Sequence, residues 1–132
     1  MELIRVRNGA SVMALLGLAA VCAAQQPIFK RTEIQRVDIA ASGREAVMAT
    51  VEVPPGLASG KHTHPGDEVG MVLEGAVILE IEGMPPATLK AGQPFHTPSG
   101  KVHNVRNTGT TMARLVTNFI VEKGKPLATP VP

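Results

Sequence analysis

The chain has 132 residues, which is room for one domain. Its formal net charge is only +2 at pH 7, it has no Trp or Tyr, and it has three Phe. No run of basic residues and no set of stacking aromatic residues is present, so the composition argues against a nucleic-acid-binding protein.

The first 24 residues have the layout of a secretory signal peptide. Arg5 and Arg7 precede an apolar run at 12–21, and small residues at 22–24 offer a cleavage point after Ala24. The apolar run is well short of the ~20 residues that a membrane-spanning helix needs. We therefore predict an exported protein, periplasmic or secreted, that has no membrane association after cleavage.

A lipoprotein is the alternative for this segment, with lipid on Cys22. It ranks lower because the residue before Cys22 would have to be small and is Val21. Cys22 is also the only cysteine, so the domain that follows must be held together by its core rather than by disulfides.

Short strands separated by turns are predicted along the rest of the chain. Val47, Ala49, Val51 and Val53 alternate with Met48, Thr50 and Glu52, the period-2 pattern of a half-buried strand. The predicted strands are 33–39, 45–53, 61–64, 69–73, 76–82, 87–90, 93–97, 103–107 and 113–121, followed by an irregular tail at 123–132. No later segment has a helical period, so the pattern indicates an all-β sandwich or barrel.

The same alternation assigns faces within the later strands. Apolar side chains share one face at Val69, Met71 and Leu73, at Val77, Leu79 and Ile81, and at Leu115, Phe119 and Val121. With so few aromatic residues the core should be mainly aliphatic, with methionine filling gaps. Four larger side chains are expected in ordinary core positions: Met48, Met71, Phe95 and Phe119.

His62 and His64 are the first candidate metal ligands. Residues two apart in a strand point to the same side, and Pro65 favours an extended backbone at His64. The turn at 65–66 can then fold Glu68 back towards both imidazoles. Two neutral imidazoles and a carboxylate directed at one point suit a first-row transition metal.

A second stretch, at 92–107, contains a Pro-Ser-Gly turn and then His103. Together the two stretches resemble the paired motifs of the cupin superfamily. The matching positions are Gly56, His62, His64, Glu68 and Gly75 in the first motif, and Gly92, Pro98, Gly100, His103 and Asn107 in the second. Sixteen residues separate motif 56–75 from motif 92–107, so the chain resembles a minimal single-domain cupin at 25–122.

This resemblance implies a small antiparallel jelly-roll barrel, the RmlC-like fold, with a metal inside it. The implied ligands are His62, His64, Glu68 and His103. The metal would be a divalent transition ion, Fe, Mn, Ni, Cu or Zn, with open positions for substrate. Asn107 is expected to bond the backbone near the turn, and the four motif glycines to adopt positive φ.

Several functions remain open, because cupins host many reactions. The leading prediction is a dioxygenase-like oxidoreductase acting on a small polar substrate, in which Glu68 could also serve as a base. The alternatives are a non-catalytic, metal-dependent module that binds a small molecule, and a cupin isomerase. A homodimer is a further possibility. His96 belongs to neither motif and is expected at the surface, with a contact behind the metal ligands as the alternative.

Overall fold

The computed structural model describes residues 28–132, so the predicted signal peptide at 1–24 lies outside the described residues. Ten strands make up this part of the chain: β1 (Lys30–Ile39), β2 (Arg44–Val53), β3 (His62–Thr63), β4 (Gly66–Glu74), β5 (Ala76–Ile81), β6 (Ala87–Lys90), β7 (Pro94–Thr97), β8 (His103–Arg106), β9 (Ala113–Glu122) and β10 (Thr129–Pro130). Residues 28–132 contain no helix, and therefore none that could cross a membrane.

The strands form two five-stranded antiparallel sheets. One sheet has the order β1-β2-β9-β4-β7, and the other has the order β10-β3-β8-β5-β6. Non-consecutive strands are neighbours in both sheets, as expected for a jelly roll. The predicted all-β jelly-roll fold is confirmed.

The core lies between the sheets and is built by strand alternation. On β2, Val47, Ala49 and Val53 are fully buried, as predicted from the period-2 pattern. Phe119 on β9 is 1% exposed and is the largest of the fully buried side chains. Burial of a Val or Phe side chain contributes roughly 1.5–3 kcal/mol, so this aliphatic interior can stabilise the fold without a disulfide.

β4 turns its apolar face outwards. Val69, Met71 and Leu73 share one face, but they are 43%, 38% and 50% exposed, so the core position expected for Met71 is wrong. The inward face carries Glu68 and Val72 instead. Glycines complete that face because a side chain would collide with neighbours: a Cβ on Gly70 would lie 2.5 Å from the Phe95 ring.

The tail is less irregular than predicted. Thr129 and Pro130 form β10 and pair with Thr63 and His62 of β3. Proline is compatible with this position because β10 is an edge strand. The tail therefore supports the strand that carries the first histidine.

The loop ends are held as predicted from the two motifs. Gly56, Gly75, Gly92 and Gly100 all have positive φ, between +70° and +87°. Asn107 is buried, and its amide donates to the carbonyls of Val53 at 2.8 Å and Thr111 at 2.7 Å. Its Oδ1 accepts from the Gly109 N–H at 2.9 Å. Asn107 is thus a structural residue that ties β2 to the loop before β9.

Candidate metal centre

Three strands bring the candidate ligands together. β3 pairs with β8, and in that register His62 lies opposite His103. His64 follows β3 directly, and its carbonyl accepts from the Gly100 N–H at 3.1 Å, which joins the two motif turns. Glu68 comes from β4 in the other sheet, on that strand's inward face.

The three imidazoles form a compact cluster. One ring nitrogen from each of His62, His64 and His103 lies within 4.8 Å of the other two. His64 and His103 are both 4% exposed, and His62 is half-buried on the open side. This three-histidine cluster could hold a metal ion.

Each of the three imidazoles is fixed by a hydrogen bond at its Nδ1 nitrogen. Nδ1 of His62 bonds the Gly60 carbonyl at 2.8 Å, and Nδ1 of His103 bonds the Lys101 carbonyl at 2.9 Å. Nδ1 of His64 bonds the Leu127 carbonyl at 2.5 Å. A carbonyl can only accept, so each Nδ1 carries a proton, and a ring in its neutral form then presents the lone pair of Nε2. Such contacts fix tautomer and ring direction in metal-binding histidines.

Glu68 lies against two of the three rings. Its Oε2 is 3.4 Å from Nε2 of His64 and 3.5 Å from Nε2 of His103. Its Oε1 accepts a hydrogen bond from Thr117 Oγ1 at 2.8 Å. The group within 4.8 Å of one another contains the histidines alone, so Glu68 approaches the cluster from one side.

The charges suit a cation. Burial lowers the pKa of His62 to about 4, which keeps this ring neutral near pH 7. Burial acts to raise the pKa of the Glu68 carboxyl, but the contacts with His103, His64 and Thr117 outweigh it and the pKa lies well below its usual range. Glu68 is therefore an anion at neutral pH.

The imidazole nitrogens and the Glu68 carboxylate are suited to a shared metal ion. Nε2 of His64 and Nε2 of His103 lie 3.4 and 3.5 Å from the same carboxylate oxygen of Glu68, so these groups interact favourably only through a shared cation, either a proton or a metal ion. Facing acceptors repel each other, and a shared cation removes that repulsion. Imidazole nitrogens with one carboxylate are ligands that first-row transition metals accept.

Comparison with known proteins agrees with this arrangement. The Cupin domain family model matches residues 49–124, more than half of the chain and both motifs. The chain belongs to the cupin family.

Two curated relatives of this cupin are a germin-like protein and an oxalate-binding protein. It is 38% identical over 77 residues to germin-like protein subfamily T member 2 of Arabidopsis thaliana, covering 54% of this chain and 35% of the relative. It is 35% identical over 66 residues to the oxalate-binding protein of Thermotoga maritima, covering 49% of this chain and 54% of the relative. The cupin thus spans about a third to a half of these curated relatives.

A solved structure of oxalate oxidase in complex with the substrate analogue glycolate is similar in fold, with a TM-score of 0.58 and 27% identity. The match covers 66% of this cupin and 52% of that chain.

A small cavity adjoins the ligands of the cupin. Its volume is about 30 Å³, room for roughly two water-sized groups. Its walls are mostly apolar, and its lining comprises Phe29, Arg31, Val51, Ser59, His62, His64, Glu68, Leu79, Phe95, His103, Val105, Leu115 and Phe119. The cavity itself has room for only a small group beside the three-histidine cluster.

His96 lies at the surface, as predicted. Its side chain is 54% exposed and its Nε2 contacts Asp67 Oδ1 at 2.8 Å. The alternative contact behind the metal ligands is not observed, because His96 and Asp67 point to the outer face of β7 and β4, away from Glu68.

Two contributors to the site were missed in the sequence. Thr117 shares the inward face of β9 with Leu115 and Phe119, so a polar residue in an apolar row was a readable signal. The Leu127 carbonyl that holds His64 is a backbone group in the tail, 63 residues away, and no side-chain pattern indicates it.

Proposed function

We propose that this cupin binds a divalent transition metal, Fe, Mn, Ni, Cu or Zn, through His62, His64, Glu68 and His103, and uses it as a dioxygenase-like oxidoreductase on a small carboxylic acid. One observation carries the proposal: three imidazole lone pairs and a buried carboxylate converge beside a small cavity while every Nδ1 is bonded to a carbonyl. The position of Glu68 against two of the rings supports its role as the fourth ligand.

Charge and size favour a small acid as substrate. A divalent ion with three neutral ligands and one carboxylate retains a net positive charge, which attracts an anion. The cavity of about 30 Å³ admits a carboxylate or a hydroxyl but no large ring. The names of the relatives, an oxalate-binding protein and an oxalate oxidase studied with glycolate, support the same class.

When bound, the metal would supply Lewis-acid polarisation of a substrate oxygen and electron transfer with dioxygen. The chain's own residues orient and protect the reactants. Thr117 holds one oxygen of Glu68 and leaves the other towards the histidines. The apolar walls formed by Leu79, Leu115 and Phe95 limit water beside the substrate, which strengthens electrostatic interactions in the site.

A ligand role for Glu68 is better supported than a role as base. A general base works best with a pKa near the working pH. The pKa of Glu68 lies well below its usual range, so its carboxylate accepts a proton poorly at pH 7. The base role remains a prediction.

The test combines metal analysis with oxygen uptake. Purified protein is loaded with each candidate metal, its metal content is measured, and oxygen uptake is followed with oxalate and with glycolate. His62→Ala and His103→Ala should each lose metal affinity and turnover together. His96→Ala is the matched control, because this exposed histidine lies outside the cluster and should leave both unchanged.

Glu68→Gln separates the two roles of the carboxylate. If Glu68 is only a ligand, the loss of rate should follow the loss of metal. If it is also a base, the rate of the fully metallated variant should fall by a further ~10²–10⁴. Normal metal binding by His62→Ala and His103→Ala would contradict the assigned centre.

A metal-dependent binding module is the second candidate, favoured by the name of one relative, the oxalate-binding protein of Thermotoga maritima. It predicts that oxalate or glycolate binds the metallated protein and that neither is consumed. Consumption of either acid without oxygen uptake would contradict the dioxygenase-like reaction.

We also propose that residues 1–24 are removed on export. The support is the sequence pattern alone: two arginines, an apolar run and small residues before Gln25. Mass spectrometry of protein recovered from outside the cytoplasm should find Gln25 at the N-terminus. An intact Met1, or lipid on Cys22, would contradict this.

A further inference from the structure

Arg31 on β1 points into the mouth of the metal centre. It pairs in register with Val51, whose side chain is on the inward face of β2, and neighbours opposite each other in a sheet share a face. Its guanidinium carbon lies 5.6 Å from the centroid of the Phe119 ring. The same ring contacts the imidazole of His64 at a centroid distance of 4.6 Å.

Within residues 28–132 Arg31 has no hydrogen-bond or ion-pair partner. The nearest acidic residue along β1 is Glu33, which already accepts two hydrogen bonds from Arg36, at 3.0 and 2.7 Å. Partial burial lowers the pKa of Arg31, opposed by the charges of Glu68 and Glu33. An arginine still carries its charge at neutral pH, so a cation faces the cavity unpaired.

An open groove outside the inner cavity continues this positive environment. It has a volume of about 390 Å³ and shares Phe29, Arg31, Ser59 and His62 with the inner cavity. Lys61 also lines it, and no carboxylate does. The charge of Lys61 also helps to lower the pKa of Glu80. The Glu80 carboxylate is already bonded by Asn104 and Arg106, both at 2.9 Å.

We propose that Arg31 is a specificity-determining residue that binds an anionic group at the outer end of the substrate, while the inner end reaches the metal centre. The substrate class is then a small acid with an anionic group at each end. The inner cavity of about 30 Å³ holds one small group, so the rest of a longer ligand lies in the groove beside Arg31. An arginine pairs with a carboxylate through two parallel hydrogen bonds, and an uncharged end would leave it unpaired.

This inference rests on the proposed function, and three probes separate the two. Glycolate supplies the inner hydroxy acid alone. Malate adds a second carboxylate, and 2-hydroxybutyrate adds an uncharged end of similar reach. Binding to the metal-loaded protein is measured by calorimetry, with metal content determined for every sample.

Wild-type protein should bind malate about tenfold more tightly than 2-hydroxybutyrate, the usual worth of a partly exposed hydrogen bond to a charged group. Arg31→Gln should lose this preference, with a smaller change in affinity for glycolate than for malate, and Arg31→Lys should keep much of the preference. Lys30→Ala is the matched control: it removes a positive charge from the next residue, which lies opposite Glu52 in the strand register and lines neither cavity. Melting temperatures verify that each variant is folded, and Arg31 is on an exposed edge strand.

Persistence of the malate preference in Arg31→Gln would overturn the inference, as would an equal loss in Lys30→Ala. If glycolate binds but malate has no advantage in wild-type protein, the inference fails and the proposed function stands. If the protein takes up no metal, or binds none of the probes, both fail.

Discussion

Thr117→Val removes one hydroxyl behind the metal centre, whose shorter hydrogen bond is to Glu68 and whose longer one, at 3.4 Å, is to the Val69 carbonyl. Thr117 is fully buried, and its Oγ1 donates to Glu68 Oε1 at 2.8 Å. Valine has nearly the same shape and no hydroxyl. The substitution therefore leaves the walls of the site in place and removes one donor from the carboxylate.

The magnitude follows from the type of bond. A hydrogen bond to a charged group contributes about 1.5–3 kcal/mol, so its loss should weaken metal binding roughly 10–100-fold. Contacts behind metal ligands elsewhere have a similar effect, about 10–100-fold. The metal-free protein should also lose stability, because Glu68 is 7% exposed and would keep one polar contact fewer.

Chelator competition measures the metal affinity, and thermal unfolding with and without metal measures stability. Thr50→Val is the matched control: it lies on the outward face of β2, half-buried and away from the ligands. It should change neither quantity by much. Equal metal affinity in Thr117→Val and wild-type protein would refute the role assigned to Thr117 and weaken the case for Glu68 as a ligand.

Three further outcomes are expected. Asn107→Ala should lower the free energy of unfolding by about 3 kcal/mol, because it removes three hydrogen bonds of a buried side chain, while metal stoichiometry stays the same. Lost metal with intact stability would instead make Asn107 a ligand. Gly66→Ala should destabilise the fold by at least ~1–3 kcal/mol, because the new Cβ would lie 2.0 Å from the Ile120 carbonyl oxygen. An unchanged midpoint of denaturant unfolding would contradict this close approach. Deletion of 127–132 should leave a folded protein with about tenfold weaker metal binding, since it removes the carbonyl that holds His64; unchanged affinity in chelator competition would refute that role.

Local rules were sufficient for much of the fold. Alternation in β2, β5 and β9 correctly identified the buried valines and leucines, because successive side chains in a strand face opposite sides. The motif glycines were correctly expected at positive φ, where other residues are strained. The ligand candidates were found because their spacing resembles that of a known family.

The faces of β4 show where local rules end. Alternation groups Val69 with Met71 and Leu73, but it does not say which of the two faces is inward. That choice was made by the neighbours: Gly66 and Gly70 permit close contact with β9 and Phe95 only if their face points in. The same choice brings Glu68 to the histidines.

The sequence by itself determined the strands, the turns and the residues able to bind a metal, because these depend on spacing along one chain. Only the tertiary structure decided which groups surround the candidate metal ligands. The Leu127 carbonyl that orients His64 is a backbone group that any residue could supply, so no residue type marks it. Arg31 faces the site because β1 pairs with β2 in a register that includes a shift between Glu33 and Gln35, and because Arg36 takes the nearby acid. Such pairings depend on distances through space between segments far apart in the chain.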